Sequence, residues 1–302
     1  MNTSLELASS LCDQLGLKSK QGKVGTALNG VSLFKITQYH HVTPQMYQQG
    51  VVVIFQGNKI GHLNDYRFEY DTRHCLIVSA PYPIACETFA SEEAPLIGID
   101  IGFEHSMIRQ LVDEMEAELG ADFFASTVQH KGVAASLITP PIDSCMQRLL
   151  GVLHDPFEAR MLGPQLLREF FYRLLQGEQR ALLAQYVKQD SALARVSGVI
   201  EHVQSHYADK LVIDELAEMA GMSISAFHRA FKQVVTDPPL QYIKKIRLNN
   251  AKQLMVQDGL TASVAANRVG YESPAQFSRE FKRYFGMPPS RIGRQGVGEE
   301  RA

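Results

Sequence analysis

Residues 265–289 read Ala265-Ala266-Asn267-Arg268-Val269-Gly270-Tyr271-Glu272-Ser273-Pro274-Ala275-Gln276-Phe277-Ser278-Arg279-Glu280-Phe281-Lys282-Arg283-Tyr284-Phe285-Gly286-Met287-Pro288-Pro289. An earlier stretch follows the same pattern. Leu216 and Ala217 lead into Ala220-Gly221-Met222, then Phe227-His228-Arg229-Ala230-Phe231-Lys232 and Pro238-Pro239. The turns lie 49 residues apart and the later helices 50, so the second copy carries one extra turn residue. Each copy has the layout of a helix-turn-helix, at about 212–234 and about 261–284. Two such units on one chain suggest two reading heads on one polymer, and double-stranded DNA is the polymer this motif reads.

The local chemistry supports both copies. Gly221 and Gly270 supply the left-handed turn that is costly for a residue with a β-carbon. Ser223 and Thr261 stand where helices need an N-cap, and Ser273-Pro274 spells a capped helix start. Phe227, Ala230, Phe231 and Val234 recur at helical spacing and face a core, as do Phe277 and Phe281. The residues left outward in the first turns are Ser225, Ala226, His228 and Arg229 in one copy, and Ala275, Gln276, Ser278 and Arg279 in the other. They are the candidates for base readout, with Gln276 equally placed to close a capping box. Lys232, Lys282, Arg291 and Arg294 are the candidates for phosphate. Between the copies, Ile243, Ile246, Leu248, Ala251, Leu254 and Met255 mark a long helix, whose Lys244, Lys245, Arg247 and Lys252 suit a solvated face.

Charge follows the same division. The whole chain of 302 residues has a formal net charge of −2, but residues 1–190 hold 15 basic against 21 acidic side chains and residues 191–302 hold 15 against 11. Between 222 and 294 the count is 12 basic to 4 acidic, which favours a polyanionic partner. No stretch reaches the roughly 18 apolar residues of a membrane span. The first residues lack a secretory layout, and four scattered cysteines without a C-x-x-C pair suit a reducing compartment, so a cytoplasmic protein is expected.

Residues 31–103 read as short strands: Val31-Leu33-Ile36, Val51-Val52-Val53-Ile54-Phe55, Tyr66-Phe68-Tyr70, Cys75-Leu76-Ile77-Val78 and Leu96–Ile101. Gly57, Gly61 and Pro81-Tyr82-Pro83 punctuate them, as in a small barrel or sandwich. Helical periodicity follows in Ile108, Leu111, Val112, Met115 and in Ile142, Cys145, Met146, Leu149, Leu150. Leu162, Leu166, Leu167, Phe170, Phe171, Leu174 and Leu175 form an apolar surface wider than one stripe, which suits either an intrachain core or a core plus a dimer contact. His40, His41, His62 and His74 include no His-x-His, so no metal site is expected, and no catalytic motif or cofactor fingerprint is present. Cys75 and Cys86 read as buried thiols, with electrophile sensing as the alternative. Tyr39, Phe55, Tyr66 and Phe68 are candidate ligand-pocket residues, or equally core.

Ala265, Gly270-Tyr271, Phe277-Ser278-Arg279, Phe281-Lys282, Phe285-Gly286 and Pro288-Pro289, with the degenerate first copy, resemble the AraC/XylS-type regulators. Gln56-Gly57, Lys59, Tyr70-Asp71 and Leu76–Ser79 resemble the N-terminal half of one subgroup of that family. The resemblance implies an α+β chain: an arm or leading helix at 1–27, a cupin-like β-barrel with C-terminal helices at 28–176 for effector binding and dimerisation, and a helical connector at 177–192. An all-α double helix-turn-helix domain would follow at 193–294, then a frayed tail at 295–302. It also implies a small-molecule-responsive activator that acts as a homodimer and touches RNA polymerase. A cupin-type enzyme tethered to DNA would instead need a metal or an activated nucleophile. A purely architectural binder would lose affinity steeply with salt and be insensitive to Arg279.

Overall fold

The computed structural model describes residues 3–63, 66–125, 132–187 and 192–292. Arg294 and the tail at 295–302 lie outside the described residues. Helix α1 (Thr3–Gln14) precedes nine strands: β1 (Gly22–Gly25), β2 (Val31–Ile36), β3 (His40–Tyr47), β4 (Gly50–Gln56), β5 (Asn58–Leu63), β6 (Tyr66–Tyr70), β7 (His74–Val78), β8 (Tyr82–Phe89) and β9 (Leu96–Gly102). Helix α2 (His105–Leu119), β10 (Val133–Leu137), α3 (Pro140–Val152), α4 (Pro156–Leu175) and α5 (Arg180–Val187) complete the N-terminal half.

The strands form two sheets and do not close into one barrel. The larger has the order β1-β2-β9-β4-β7-β10 and the smaller β3-β8-β5-β6, with every assigned pairing antiparallel. Strand β4 sits between β9 and β7, and Val51 to Phe55 are all buried, so its apolar run reads continuously instead of alternating. Gly98 of β9 lets the flanking strands β2 and β4 of the larger sheet close up: a β-carbon there would lie 2.3 Å from the Phe34 ring and 2.6 Å from the Val53 carbonyl oxygen. Helix α1 caps this sheet with Ala8, Leu11 and Cys12 and is tied to α3 by a 2.9 Å bond from the Ser4 hydroxyl to Asp143.

The wide apolar surface expected near 162–175 divides in two. Leu167, Phe170, Phe171, Leu174 and Leu175 are buried, whereas Leu162 is exposed beside exposed Phe157 and Met161. The connector contains α5. Among the described residues no helix is long and apolar enough to cross a membrane.

The C-terminal half is helical: α6 (Ala192–Ser205), α7 (Ile213–Met219), α8 (Ile224–Val235), α9 (Pro239–Gln257), α10 (Ala262–Arg268) and α11 (Pro274–Phe285). Its two helix-turn-helix units differ in how they are anchored. Leu216, Ala217, Phe227, Phe231, Val234 and Ile246 belong to one apolar core continuous with the N-terminal sheets. Leu248, Ala251, Ala265, Val269, Phe277 and Phe281 form a separate core around the second unit. The first unit is therefore packed as part of the N-terminal body, and the second rides on the far end of α9.

Polar contacts fix the first unit to the smaller sheet. The Asp237 carboxylate, only 8% exposed, accepts from Lys245 Nζ at 2.6 Å and from the Tyr82 hydroxyl of β8. The Tyr242 hydroxyl donates to the Pro81 carbonyl at 2.7 Å while its ring stacks on Tyr82, and the Gly132 amide donates to the Val234 carbonyl at 3.0 Å.

Candidate nucleic-acid interface and effector cavity

Both outward helices are built by the same local devices. The Ser223 side chain caps α8 by accepting from the Ala226 amide, and Ser273 caps α11 by accepting from the Gln276 amide, with Pro274 in the first turn. Each cap satisfies a donor that the first helical turn would otherwise leave unpaired. Phe227 and Phe231 are fully buried in α8, as are Phe277 and Phe281 in α11, which fixes the rotation of each helix about its axis. The opposite face then carries exposed Ser225 and Arg229 with half-buried Ala226 and His228 in α8. In α11, Ala275, Gln276, Ser278 and Arg279 are all exposed. Lys232, Lys282 and Arg291 are exposed as well.

The turns show why glycine is required at one of them. Gly270 has φ +82°, and a β-carbon there would sit 2.3 Å from the Ala208 carbonyl oxygen. Gly221 has φ +62° but open space around it. At the end of α8, Thr236 takes φ +63°, the position that Gly286 fills after α11 with φ +74°.

The basic residues of α9 are structural ties, where sequence reading had favoured a solvated face. Arg247 donates to the carbonyls of Tyr207 (2.7 Å), Asp209 (2.8 Å) and Gly270 (3.1 Å), clamping the turn of the second unit. Lys244 pairs with Glu280 of α11 at 3.0 Å, Lys245 with Asp237, and Lys252 lies over the Phe285 ring. Burial alone would raise the Glu280 carboxyl, but bonds from Lys244, Tyr271 and Gln276 outweigh it and hold it below the usual carboxylate range. The Gln276 amide reaches Glu280 at 3.3 Å, so its side chain points along the exposed face and does not fold back over the cap.

Between the two sheets lies a cavity of about 310 Å³. Its walls include Phe34, Ile36, Met46 and Val52, and its polar lining includes Gln45, Lys59, Lys23 and Asp100. Lys59 Nζ donates to Gln45 Oε1 at 2.7 Å and to the Tyr47 hydroxyl at 2.9 Å. Burial lowers the Lys59 ammonium from its ordinary value, against smaller opposing effects of Cys86 and Asp100. The Tyr47 and Tyr70 hydroxyls bond to each other behind it.

Against known proteins, the profile of the AraC-type transcriptional regulator N-terminus matches residues 27–182, just over half of the chain, and that of a helix-turn-helix domain matches residues 216–295. The chain belongs to the AraC-type transcriptional regulators. Among its relatives, LumQ of Photobacterium leiognathi, a probable transcriptional regulator, is 33% identical over 90 residues, 30% of this chain and 36% of LumQ. The transcriptional regulator ExsA of Pseudomonas aeruginosa is 28% identical over 174 residues, 57% of this chain and 60% of ExsA. The chain thus spans between about a third and three-fifths of the curated relatives it matches. In fold, it is similar to ToxT from Vibrio cholerae, with a TM-score of 0.59 at 13% identity, covering 86% of this chain and 96% of ToxT.

In this AraC-type chain the structure gathers the eight base-readout candidates on two helix faces but does not gather the pocket candidates. Tyr39 is exposed and donates to Glu87, while Phe55 and Phe68 are buried in the core, and none of the three lines the cavity. Of Tyr66, the strand position alone is described. Burial pushes the Cys75 thiol up to about 12 and raises Cys86 too, which favours inert thiols over electrophile sensing. Lys59 and Gln45 were missed as cavity residues. The sequence around Lys59, Asn58-Lys59-Ile60-Gly61-His62, is mixed and carries no local signal of its burial.

Proposed function

We propose that this AraC-type protein is a sequence-specific, effector-responsive regulator that reads two successive major-groove segments with α8 and α11. The carrying observation is the pair of serine-capped helices, each pinned by two buried phenylalanines and each offering an arginine, Arg229 or Arg279, on its free face. Helix α9, with 19 residues, is roughly 28 Å long at 1.5 Å per residue. That is close to the roughly 34 Å turn of duplex DNA between two same-face groove entries. Lys232, Lys282 and Arg291 serve phosphate in this reading, and Arg294 beyond the described residues is assigned the same role.

The cavity between the sheets is the effector site of this reading. ToxT, whose fold this chain shares, has been solved with an unsaturated fatty acid bound. The cavity is coupled to DNA through strand β3 and the residue after it: Gln45 and Met46 of β3, with Gln48, line it and also line the cleft against α9 residues Asn249, Lys252 and Gln253. An effector that binds one placement of β3 better than another would shift the reading heads by its difference in affinity. The exposed apolar residues Phe157, Met161 and Leu162 of α4 are assigned to a homodimer contact, with activation through RNA polymerase as the output.

The test is binding to a selected site and to random DNA at one salt concentration. Arg229→Ala and Arg279→Ala should each cost about 1–3 kcal/mol on the selected site and little on random sequence. Equal losses on both would overturn base readout and favour an architectural binder.

A further inference from the structure

We infer that Lys59 is the anchor for a ligand carboxylate, so that the cavity between the sheets selects a small amphipathic monocarboxylate. The inference rests on the reading of that cavity as an effector site and names the chemistry the site takes.

A lysine ammonium is among the groups least often buried without a partner. Lys59 is 6% exposed, yet among the described residues its two hydrogen-bond partners, Gln45 and Tyr47, are both neutral. An ammonium has three donors, and these contacts use two of them. The carboxylate on the same cavity wall, Asp100, is taken: it pairs with Lys23 at 2.7 Å and forms no ion pair with Lys59. The Tyr47 hydroxyl is further committed to Tyr70. A buried cation lacking a counter-charge is costly in the protein alone, and that cost falls when a ligand brings the anion.

The rest of the cavity sets the remaining chemistry. Phe34, Ile36, Met46 and Val52 offer an apolar wall, and a volume of about 310 Å³ lies at the lower end for small-molecule sites. A short hydrocarbon body with one anionic end fits both. A phosphate dianion would leave a second charge facing the apolar wall, since the other lysine of the lining is already paired. A neutral ligand would leave the Lys59 charge as it is.

The alternative account of Lys59 is a structural brace, because its side chain reaches from β5 past β8 to β3. The two accounts separate by comparing octanoate with octanamide, which share a hydrocarbon chain and differ in charge. Calorimetric titration of the full chain at neutral pH should show octanoate binding at least tenfold more tightly than octanamide. Lys59→Met should reduce octanoate to the octanamide level, and Lys59→Arg should retain a preference for the acid. Should Lys59→Met fail to fold, Lys59→Gln, which keeps a donor toward Gln45, provides the same comparison. Equal binding of acid and amide by the natural chain, no binding of either, or an undiminished preference in Lys59→Met or Lys59→Gln would overturn the inference. DNA binding by the same proteins is read separately. Loss of the acid preference with intact selected-site binding removes the ligand class and leaves the regulator reading standing.

Discussion

Replacing Asp237 tests the buried ion pair at the base of the first reading head, whose carboxylate also accepts from Tyr82 of the N-terminal half. The Asp237 carboxylate and Lys245 ammonium are 2.6 Å apart, with side chains 11% and 26% exposed respectively. Two unit charges at that spacing attract by about 1.6 kcal/mol in bulk water and about 6 kcal/mol at an effective dielectric constant of 20. The site is mostly dry, so the upper figure is the nearer starting point, but lost hydration of both ions offsets much of it. A net coupling of about 2 kcal/mol is expected. Asp237→Asn alone should cost more, about 3 kcal/mol, because Lys245 keeps its charge and loses its partner. The assay is urea unfolding of four full-length proteins: the natural chain, Asp237→Asn, Lys245→Met and the double variant. The cycle isolates the pair, and the double variant should be less destabilised than the sum of the singles. Additivity within about 0.5 kcal/mol would refute the claim that this buried pair is coupled at the base of the first reading head.

Two further outcomes follow from the helix-turn-helix units. Gly270→Ala places a methyl 2.3 Å from the Ala208 carbonyl oxygen at φ +82° and should cost about 3 kcal/mol in thermal or urea unfolding, whereas Gly221→Ala, with open space at φ +62°, should cost about 1–2 kcal/mol. Glu280 has its carboxyl held below its ordinary value of 4.5, so its contribution is fully present above that value and is lost as pH falls through the lower folded-state value. Glu280→Gln should therefore flatten the acid side of the stability profile, and an unchanged acid limb would count against the Lys244–Glu280–Tyr271 cluster.

The second helix-turn-helix was legible because its determinants are local. Ser273 as cap, Pro274 in the first turn, Gly270 at the turn and phenylalanines four apart each act within one or two helical turns. In α10, only seven residues long, Ala265 and Ala266 face the core while Val264 is exposed. The strand runs were legible as strands, but their division into two sheets depends on pairings such as β4 with β9, which bring distant segments together. The contact of Tyr82 with Asp237 was illegible for the same reason: the two residues are 155 apart and neither has a local signature. Lys59 resisted reading because a lysine in a strand ordinarily faces water, and here β3, lying beyond β8, supplies two oxygens that hold it inside. Among the α9 cations, charge pattern alone does not separate a phosphate contact from an Arg247 that binds three carbonyls.

The central claim is that α8 and α11 enter consecutive grooves on one face of a duplex. Footprinting on a selected site tests it most directly, comparing the natural chain with Arg229→Ala and Arg279→Ala. Two protected patches about ten base pairs apart are expected per chain, with each variant weakening a different patch. A single patch, or two variants that leave the pattern unchanged, would contradict it.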